Sequence, residues 1–113
     1  MIPDRRAVDD AFANDVHTVL ADPIRRAVLR ELHDYGGVSS LSELVGTIRE
    51  TADGGYGFAP HSVRVGLHHH HLPKMADAGF VEYRSVGGRV TLTPRGERAE
   101  TVRARTAAVI AEG

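Results

Sequence analysis

The chain of 113 residues contains no cysteine, and only 5% of its residues are aromatic. The absence of cysteine excludes disulfides, thiolate chemistry and cysteine-based zinc sites. No apolar run approaches the roughly 20 residues of a membrane-spanning helix, and the N-terminal sequence MIPDRRAVDD lacks the apolar core of a signal peptide. We therefore expect one small cytoplasmic domain with an aliphatic core and no membrane contact.

Neither charge sign dominates, since the formal net charge is −1. Residues 1–59 carry six Arg against ten Asp and Glu, whereas residues 60–93 carry four Lys and Arg against two Asp and Glu. Residues 94–113 carry four Arg against three Glu, and five of the seven histidines lie within 60–93. The segment 60–93 is thus the basic part of an acidic protein, which favours an anionic partner such as DNA. A chance imbalance on a solvated surface remains an alternative.

Hydrophobic periodicity predicts five helices. Their approximate bounds are 5–20, 23–35, 41–50, 60–78 and 94–111. Asp22 has the position of an N-cap followed by proline at the first helical position, and Ser40 and Glu43 have the spacing of a capping box. The glycine-rich segment 51–59 lies where a helix-turn-helix has its turn, but it is longer than usual.

Between the last two helices, the pattern changes from helical spacing to two short strands at 80–84 and 89–93. The pair Gly87-Gly88 predicts a tight hairpin between them, because both glycines can adopt positive φ. A helix, a glycine stop at Gly79 and a basic hairpin are typical of the end of a winged helix-turn-helix. We therefore predict an α+β, mainly α, winged helix-turn-helix fold with additional N- and C-terminal helices.

The sequence contains no internal repeat and no linker, which predicts a single winged-helix domain over residues 1–113 with its core at 20–93. The flanking helices at 1–20 and 94–113 have apolar stripes of their own. These stripes either pack on the same domain or form a homodimer interface. We expect a homodimer, because DNA-binding domains of this size often recognise two half-sites.

The fourth helix is the candidate DNA-reading element. A helical wheel at 100° per residue, with Leu72 and Met75 in the core, predicts which side chains face inward. Val65, His68, His71 and Ala76 fall toward the core, with Leu67 near its edge. The opposite side collects Ser62, Val63, Gly66, His69, His70 and Pro73, with Lys74 at the margin. This small, polar side suits contact with a DNA groove, and Pro73 should bend the helix.

The run His68–His71 permits a metal site, because His68 and His71 are three residues apart and imidazole is a common ligand. A specific site needs three or four ligands, and no other set of histidines and carboxylates has matching spacing. We therefore predict no metal and no cofactor. His68 and His71 should be partly buried and hydrogen-bonded, while His69 and His70 should face solvent or DNA.

No motif indicates catalysis. The candidate nucleophiles Ser39, Ser62 and Ser85 lack a recognisable base or oxyanion motif. The sequence GGYG lacks the lysine and the spacing of a phosphate-binding loop. We therefore predict that the protein is not an enzyme.

Two stretches resemble the ArsR-type winged-helix regulators. HLPKMADAGFVEY is similar to the His-Leu-x-x-Leu pattern that precedes Ala-Gly-Leu-Val and a wing, and LADPIRRAVLREL is similar to Asp-Pro-x-Arg-x-x-(Ile/Val)-Leu. Together they extend the resemblance over roughly 20–97, and the first also resembles small haloarchaeal winged-helix proteins of largely unassigned function. The resemblance implies an archaeal DNA-binding regulator. It does not extend to thiolate metal sensing, the loop at 51–59 or Pro73.

The leading prediction is a sequence-specific transcriptional regulator that binds double-stranded DNA as a homodimer. The helix at about 60–78 would enter the major groove, and the hairpin at 80–93 would contact the backbone or the minor groove. The predicted DNA-binding residues are Ser40, Ser42, His61, Ser62, Arg64, Gly66, His69, His70, Lys74, Arg84 and Arg89. Two alternatives stay open: a winged-helix module that binds proteins, and a histidine-based metal-responsive regulator.

Overall fold

The computed structural model describes residues 5–51 and 60–112. Its elements are α1 (Arg5–Leu20), α2 (Pro23–Asp34), β1 (Val38–Ser40), α3 (Leu41–Thr51), α4 (Pro60–Gly66), a π-helical turn (Leu67–His71), α5 (Leu72–Asp77), β2 (Val81–Arg84), β3 (Arg89–Leu92) and α6 (Pro94–Glu112). The fold is α+β and mainly helical, as predicted. From residue 52 on, the predicted glycine-rich loop lies outside the described residues.

The predicted start and end of α2 are confirmed. The Asp22 carboxylate accepts a hydrogen bond from the backbone N–H of Ile24 at 2.7 Å, and Pro23 is the first residue of the helix. After α2, Gly36 and Gly37 have φ values of 85° and 90°, which glycine adopts at little cost. The helix buries the apolar side chains Val28, Leu29 and Leu32. Its caps and its apolar face therefore both follow from the sequence.

The sheet has three antiparallel strands in the order β1-β3-β2, so the prediction of only two strands was wrong. Ser39 and Ser40 lie in β1, opposite Val90 and Arg89. Ser40 nevertheless caps α3 as predicted, since its hydroxyl accepts from the backbone N–H of Glu43 at 3.1 Å. Three residues are too few to display the alternation of a strand, and the hydrogen-bonding partner of β1 is more than 45 residues away in the sequence.

The predicted hairpin is confirmed, with Arg84 opposite Arg89 and a four-residue connection between β2 and β3. Gly87 and Gly88 have φ values of 87° and 71°. The carbonyl of Gly88 accepts from the backbone N–H of Leu41 at 2.7 Å. The end of the hairpin is therefore fixed against the start of α3.

Residues 60–77 form one uninterrupted helical segment, here called the composite helix, in which α4 and α5 are joined by the π-helical turn. Two predicted side-chain positions on it were wrong: Val63 is buried, and Val65 is 41% exposed. Leu67, predicted near the edge of the core side, is fully buried. The π-helical turn explains the error. It contains a longer i→i+5 hydrogen bond, from the N–H of Leu72 to the carbonyl of Leu67, and this extra residue rotates everything before it relative to α5. The turn ends two residues before Pro73, which has no N–H to continue a regular helix.

The core is aliphatic apart from Phe80, as the low aromatic content predicted. Its fully buried large side chains are Phe80, Leu29, Leu32, Leu44, Ile48, Leu67, Leu72, Met75, Val19, Val28 and Val90. They come from both helices and sheet and join the composite helix to α2, α3 and the hairpin. Within residues 5–51 and 60–112, no helix is both long and apolar enough to cross a membrane.

Candidate nucleic-acid interface

The outward side of the composite helix carries the residues predicted to read DNA. Five of the predicted residues are exposed, namely His61, Ser62, Arg64, His69 and His70, and two are half-buried, namely Gly66 and Lys74. The division of the histidine run is as predicted, with His69 and His70 exposed, His68 half-buried and His71 buried. The helix therefore presents hydrogen-bonding groups of several kinds to solvent.

A hydrogen bond joins this helix to the start of α3. The guanidinium of Arg64 donates to the hydroxyl of Ser42 at 2.9 Å, and both side chains are exposed. Two residues that were predicted separately as DNA contacts are thus in direct contact. Ser40, the residue two positions earlier, is half-buried, and its hydroxyl is used to cap α3.

The outer face of the sheet carries two arginines side by side. Arg84 lies directly opposite Arg89, which in turn lies opposite Ser40, so the three side chains share one face. Like charges in directly opposite positions destabilise a sheet. Glu82, one row further along the same face, offsets part of this charge. The end of the hairpin near α3 remains basic and suits an anionic partner.

Tyr83 connects the inner face of the hairpin to the composite helix. Its hydroxyl lies 2.6 Å from Nδ1 of His68, and the two rings meet edge to face with centroids 5.8 Å apart. Desolvation raises the pKa of Tyr83, against a smaller opposing effect of Arg64, so the hydroxyl keeps its proton. The contact holds the hairpin at a fixed position on the helix.

The sequence analysis did not single out Tyr83. Two features could have identified it: its inward position in the period-2 pattern of β2 and the need of an inward-facing tyrosine hydroxyl for a hydrogen-bonding partner. The partner itself, His68, was predicted only as partly buried and hydrogen-bonded. That prediction is confirmed.

A second buried contact lies beneath the composite helix. The guanidinium of Arg25 is 3.1 Å from Nδ1 of His71, and it also donates to the backbone carbonyls of Val19 at 2.9 Å and Thr18 at 3.1 Å. Both Arg25 and His71 are buried. Desolvation lowers the pKa of His71, the charge of Asp22 opposes this, and those of Arg25 and His70 add to it. His71 is therefore neutral, and its Nδ1 accepts from Arg25.

Arg25 also was not singled out as a functional residue, although it is the arginine of the Asp-Pro-x-Arg stretch. His71 and His68, which could share one ion by their spacing, instead direct Nδ1 toward different partners, Arg25 and Tyr83. In the part of the chain that the structure describes, no group of three or more His, Asp and Glu side chains is placed to hold a metal ion.

A family model described as a domain of unknown function (DUF7344) matches residues 17–91. The chain belongs to the DUF7344 family. No curated protein and no solved structure matches the chain. The matched DUF7344 segment extends from the last turn of α1 to β3 and therefore includes Arg25, the whole composite helix and both arginines of the hairpin.

An apolar groove of about 480 Å³ lies between α1 and α6, here called the α1–α6 groove. Its lining residues are Phe12, Ala13, Val16, His17, Leu20, Ala21, Val102 and Thr106. Only His17, Leu20 and Ala21 belong to the DUF7344 segment. Val102 is 38% exposed and Val109, further along α6, is 68% exposed. The flanking helices thus leave apolar surface uncovered, in agreement with their predicted stripes.

Proposed function

We propose that the protein is a sequence-specific DNA-binding transcriptional regulator with an ArsR-like winged helix-turn-helix fold. The observation that carries the proposal is the surface formed by the composite helix, the start of α3 and the basic end of the hairpin. The Arg64–Ser42 and Tyr83–His68 hydrogen bonds hold these three elements together. A helix can enter the major groove and present side chains to base edges, while basic residues beside it contact phosphate.

The order of the elements supports the winged-helix interpretation. Helix α2, strand β1, helix α3, the composite helix and the β2–β3 hairpin follow one another, and β1 completes the sheet beside β3. The composite helix would then be the recognition helix and the hairpin the wing. The outward residues of the composite helix offer imidazole, hydroxyl and guanidinium groups. These groups suit recognition by hydrogen bonding and not by charge alone.

The test is fluorescence anisotropy with fragments selected from the source genome, at low and high salt. Arg89→Ala should weaken binding to all fragments similarly and reduce the slope of log affinity against log salt by about 1, because it removes one phosphate contact. His70→Ala should instead change the discrimination between fragments. Arg30→Ala is the matched control, since Arg30 is an exposed arginine on α2 whose ion pair with Asp34 is loose, at 3.8 Å.

Equal effects of Arg89→Ala and His70→Ala would contradict the assignment of Arg89 to phosphate contact and of His70 to base recognition. Absence of binding to any fragment at low salt would contradict the proposed function itself. It would favour the second candidate, a winged-helix module that binds proteins. Two exposed apolar side chains favour this second candidate. Val65 on the composite helix is 41% exposed, and Val86 on the hairpin turn is 92% exposed.

We further propose that the regulator is a homodimer and that the α1–α6 groove forms part of the dimer interface. Val102→Glu would place a carboxylate in this apolar surface and should convert a dimer to a monomer in sedimentation velocity. Val86→Glu makes the same change at a side chain that is 92% exposed on the hairpin turn and should leave the dimer intact. A wild-type monomer, or equal effects of both substitutions, would contradict this placement.

A further inference from the structure

The two sequence stretches that resemble ArsR-type regulators meet in the core through their polar residues. Arg25 belongs to LADPIRRAVLREL and His71 to HLPKMADAGFVEY, 46 positions later, and their side chains are 3.1 Å apart. Both are almost completely buried, with exposed fractions of 5% and 7%. A buried guanidinium is costly unless its donors are satisfied. Here they are satisfied by His71 and by two carbonyls at the end of α1.

Arg25 therefore connects two parts of the molecule that are distant in the sequence. On one side its guanidinium donates to the carbonyls of Thr18 and Val19. These two residues lie in the sequence between His17 and Leu20, which line the α1–α6 groove. On the other side, Arg25 is bonded to His71, the last residue of the π-helical turn. The neighbouring residue is His70, which is exposed on the proposed reading side.

The π-helical turn is the place where the composite helix can change its winding, because one i→i+5 bond there replaces the regular pattern. The ring of His71 lies beside Gly66, the last residue of α4: a Cβ added at Gly66 would lie 3.8 Å and 3.9 Å from its Cδ2 and Nε2 atoms. A change at His71 would therefore be transmitted directly to the residues of α4. Those residues include Ser62 and Arg64 of the proposed interface.

The surroundings of His71 favour its neutral form over its protonated form. Arg25 faces it from α2, Asp22 acts on it from the N-cap of α2, and His70 from the composite helix. Neutral His71 accepts from Arg25 through Nδ1. A protonated imidazole has donors at both nitrogens, so it would lose this bond and place a second cation against a guanidinium.

We propose that Arg25 and His71 are positioning residues that hold the composite helix in its DNA-reading position, and that protonation of His71 releases the helix. The DNA readout of this inference rests on the proposed function. The Arg25–His71 contact makes DNA affinity sensitive to pH. It also connects the reading surface to the α1–α6 groove through the guanidinium of Arg25.

The first test compares DNA affinity of the wild type and His71→Gln between about pH 8 and about pH 5, the range in which histidine changes charge. The glutamine carbonyl can accept from Arg25 but does not titrate. The ratio of wild-type to variant Kd should therefore increase several-fold, on the order of 3–10, as the pH falls. His33→Gln is the matched control, because it removes an exposed imidazole remote from Arg25 and should follow the wild-type profile. Identical profiles for wild type and His71→Gln would overturn the proposal.

A second measurement does not require a variant. The ring signals of His71 are titrated by NMR in the free protein and in the DNA complex, and the pKa of His71 should be lower in the complex, since DNA binding and protonation oppose each other. An unchanged pKa in a complex that forms would overturn the inference.

If no DNA fragment binds, the proposed function fails, but the inference remains testable. Hydrogen exchange of the amides in the composite helix should accelerate at about pH 5, after correction for intrinsic rates, in the wild type and not in His71→Gln. Equal protection in both proteins would overturn it.

Discussion

Among the described glycines, Gly96 in α6 has the least room for a side chain. A Cβ at this position would lie 2.1 Å from the carbonyl oxygen of Phe80 and 2.6 Å from a methyl group of Leu92. Backbone cannot move aside as a flexible side chain does. Gly96→Ala should therefore lower the free energy of unfolding by at least about 1–3 kcal/mol, in the range of overpacked cores. Urea denaturation of both proteins measures the difference.

Gly46 provides the control at the same scale. It is also a helical glycine, in α3, but a Cβ there would meet nothing within 4 Å. Gly46→Ala should therefore stabilise the protein by about 0.5–1 kcal/mol, since alanine loses less conformational entropy in a helix. Similar effects of the two substitutions would contradict the close approach of α6 to the start of β2.

At the scale of single elements, the π-helical turn sets which side of α4 faces the core. Val63 is 4% exposed and Val65 is 41% exposed, the reverse of a regular helix extrapolated from Leu72 and Met75. Val63→Ala should cost about 1–3 kcal/mol of unfolding free energy, whereas Val65→Ala should stay within about 0.5 kcal/mol. Chemical denaturation of this matched pair checks the winding of the composite helix. The opposite ranking would mean that the helix is regular.

The same element shows how far sequence reasoning reaches. Local signals sufficed for the caps at Asp22 and Ser40 and for the turn at Gly87, because each depends on residues a few positions apart. They failed at the π-helical turn, because Val63, Val65 and Leu67 are all apolar and their pattern does not show which of them face the core. They also failed at β1, which is defined only by its partner β3.

In the candidate interface too, only features that depend on residues close in sequence could be predicted. That the histidine run divides into buried and exposed members was predictable from a helical repeat. The partners of the buried members were not, because Tyr83 and Arg25 are 15 and 46 positions away from them. A sequence pattern indicates that a histidine faces inward; only the packing of helices determines what it meets there.

At the scale of the whole molecule, two histidines couple folding to pH with opposite signs. His33 on α2 lies 2.9 Å from the carboxylate of Glu97 on α6, and this hydrogen bond, together with the charge of Glu97, raises its pKa above the usual 6.5. Its stabilising effect is complete below pH 6.5 and is lost as the pH rises through the raised value. His71 has a pKa lowered by desolvation. The folded protein is therefore destabilised as the pH falls below 6.5, because the unfolded chain binds a proton at this histidine more readily than the folded protein does.

We therefore expect His33→Gln and His71→Gln to change the pH dependence of unfolding in opposite directions. The free energy difference between wild type and His33→Gln should be largest at acidic pH and should shrink toward about pH 8, although it stays small because the side chain of His33 is 51% exposed and solvent screens its interaction with Glu97. His71→Gln should instead gain on the wild type as the pH falls toward about pH 5, because glutamine keeps the acceptor for Arg25 without binding a proton. Urea denaturation midpoints of the wild type and both variants, measured across this pH range, test this prediction. Parallel profiles for the wild type and His71→Gln would mean that the imidazole is not held neutral in the folded protein.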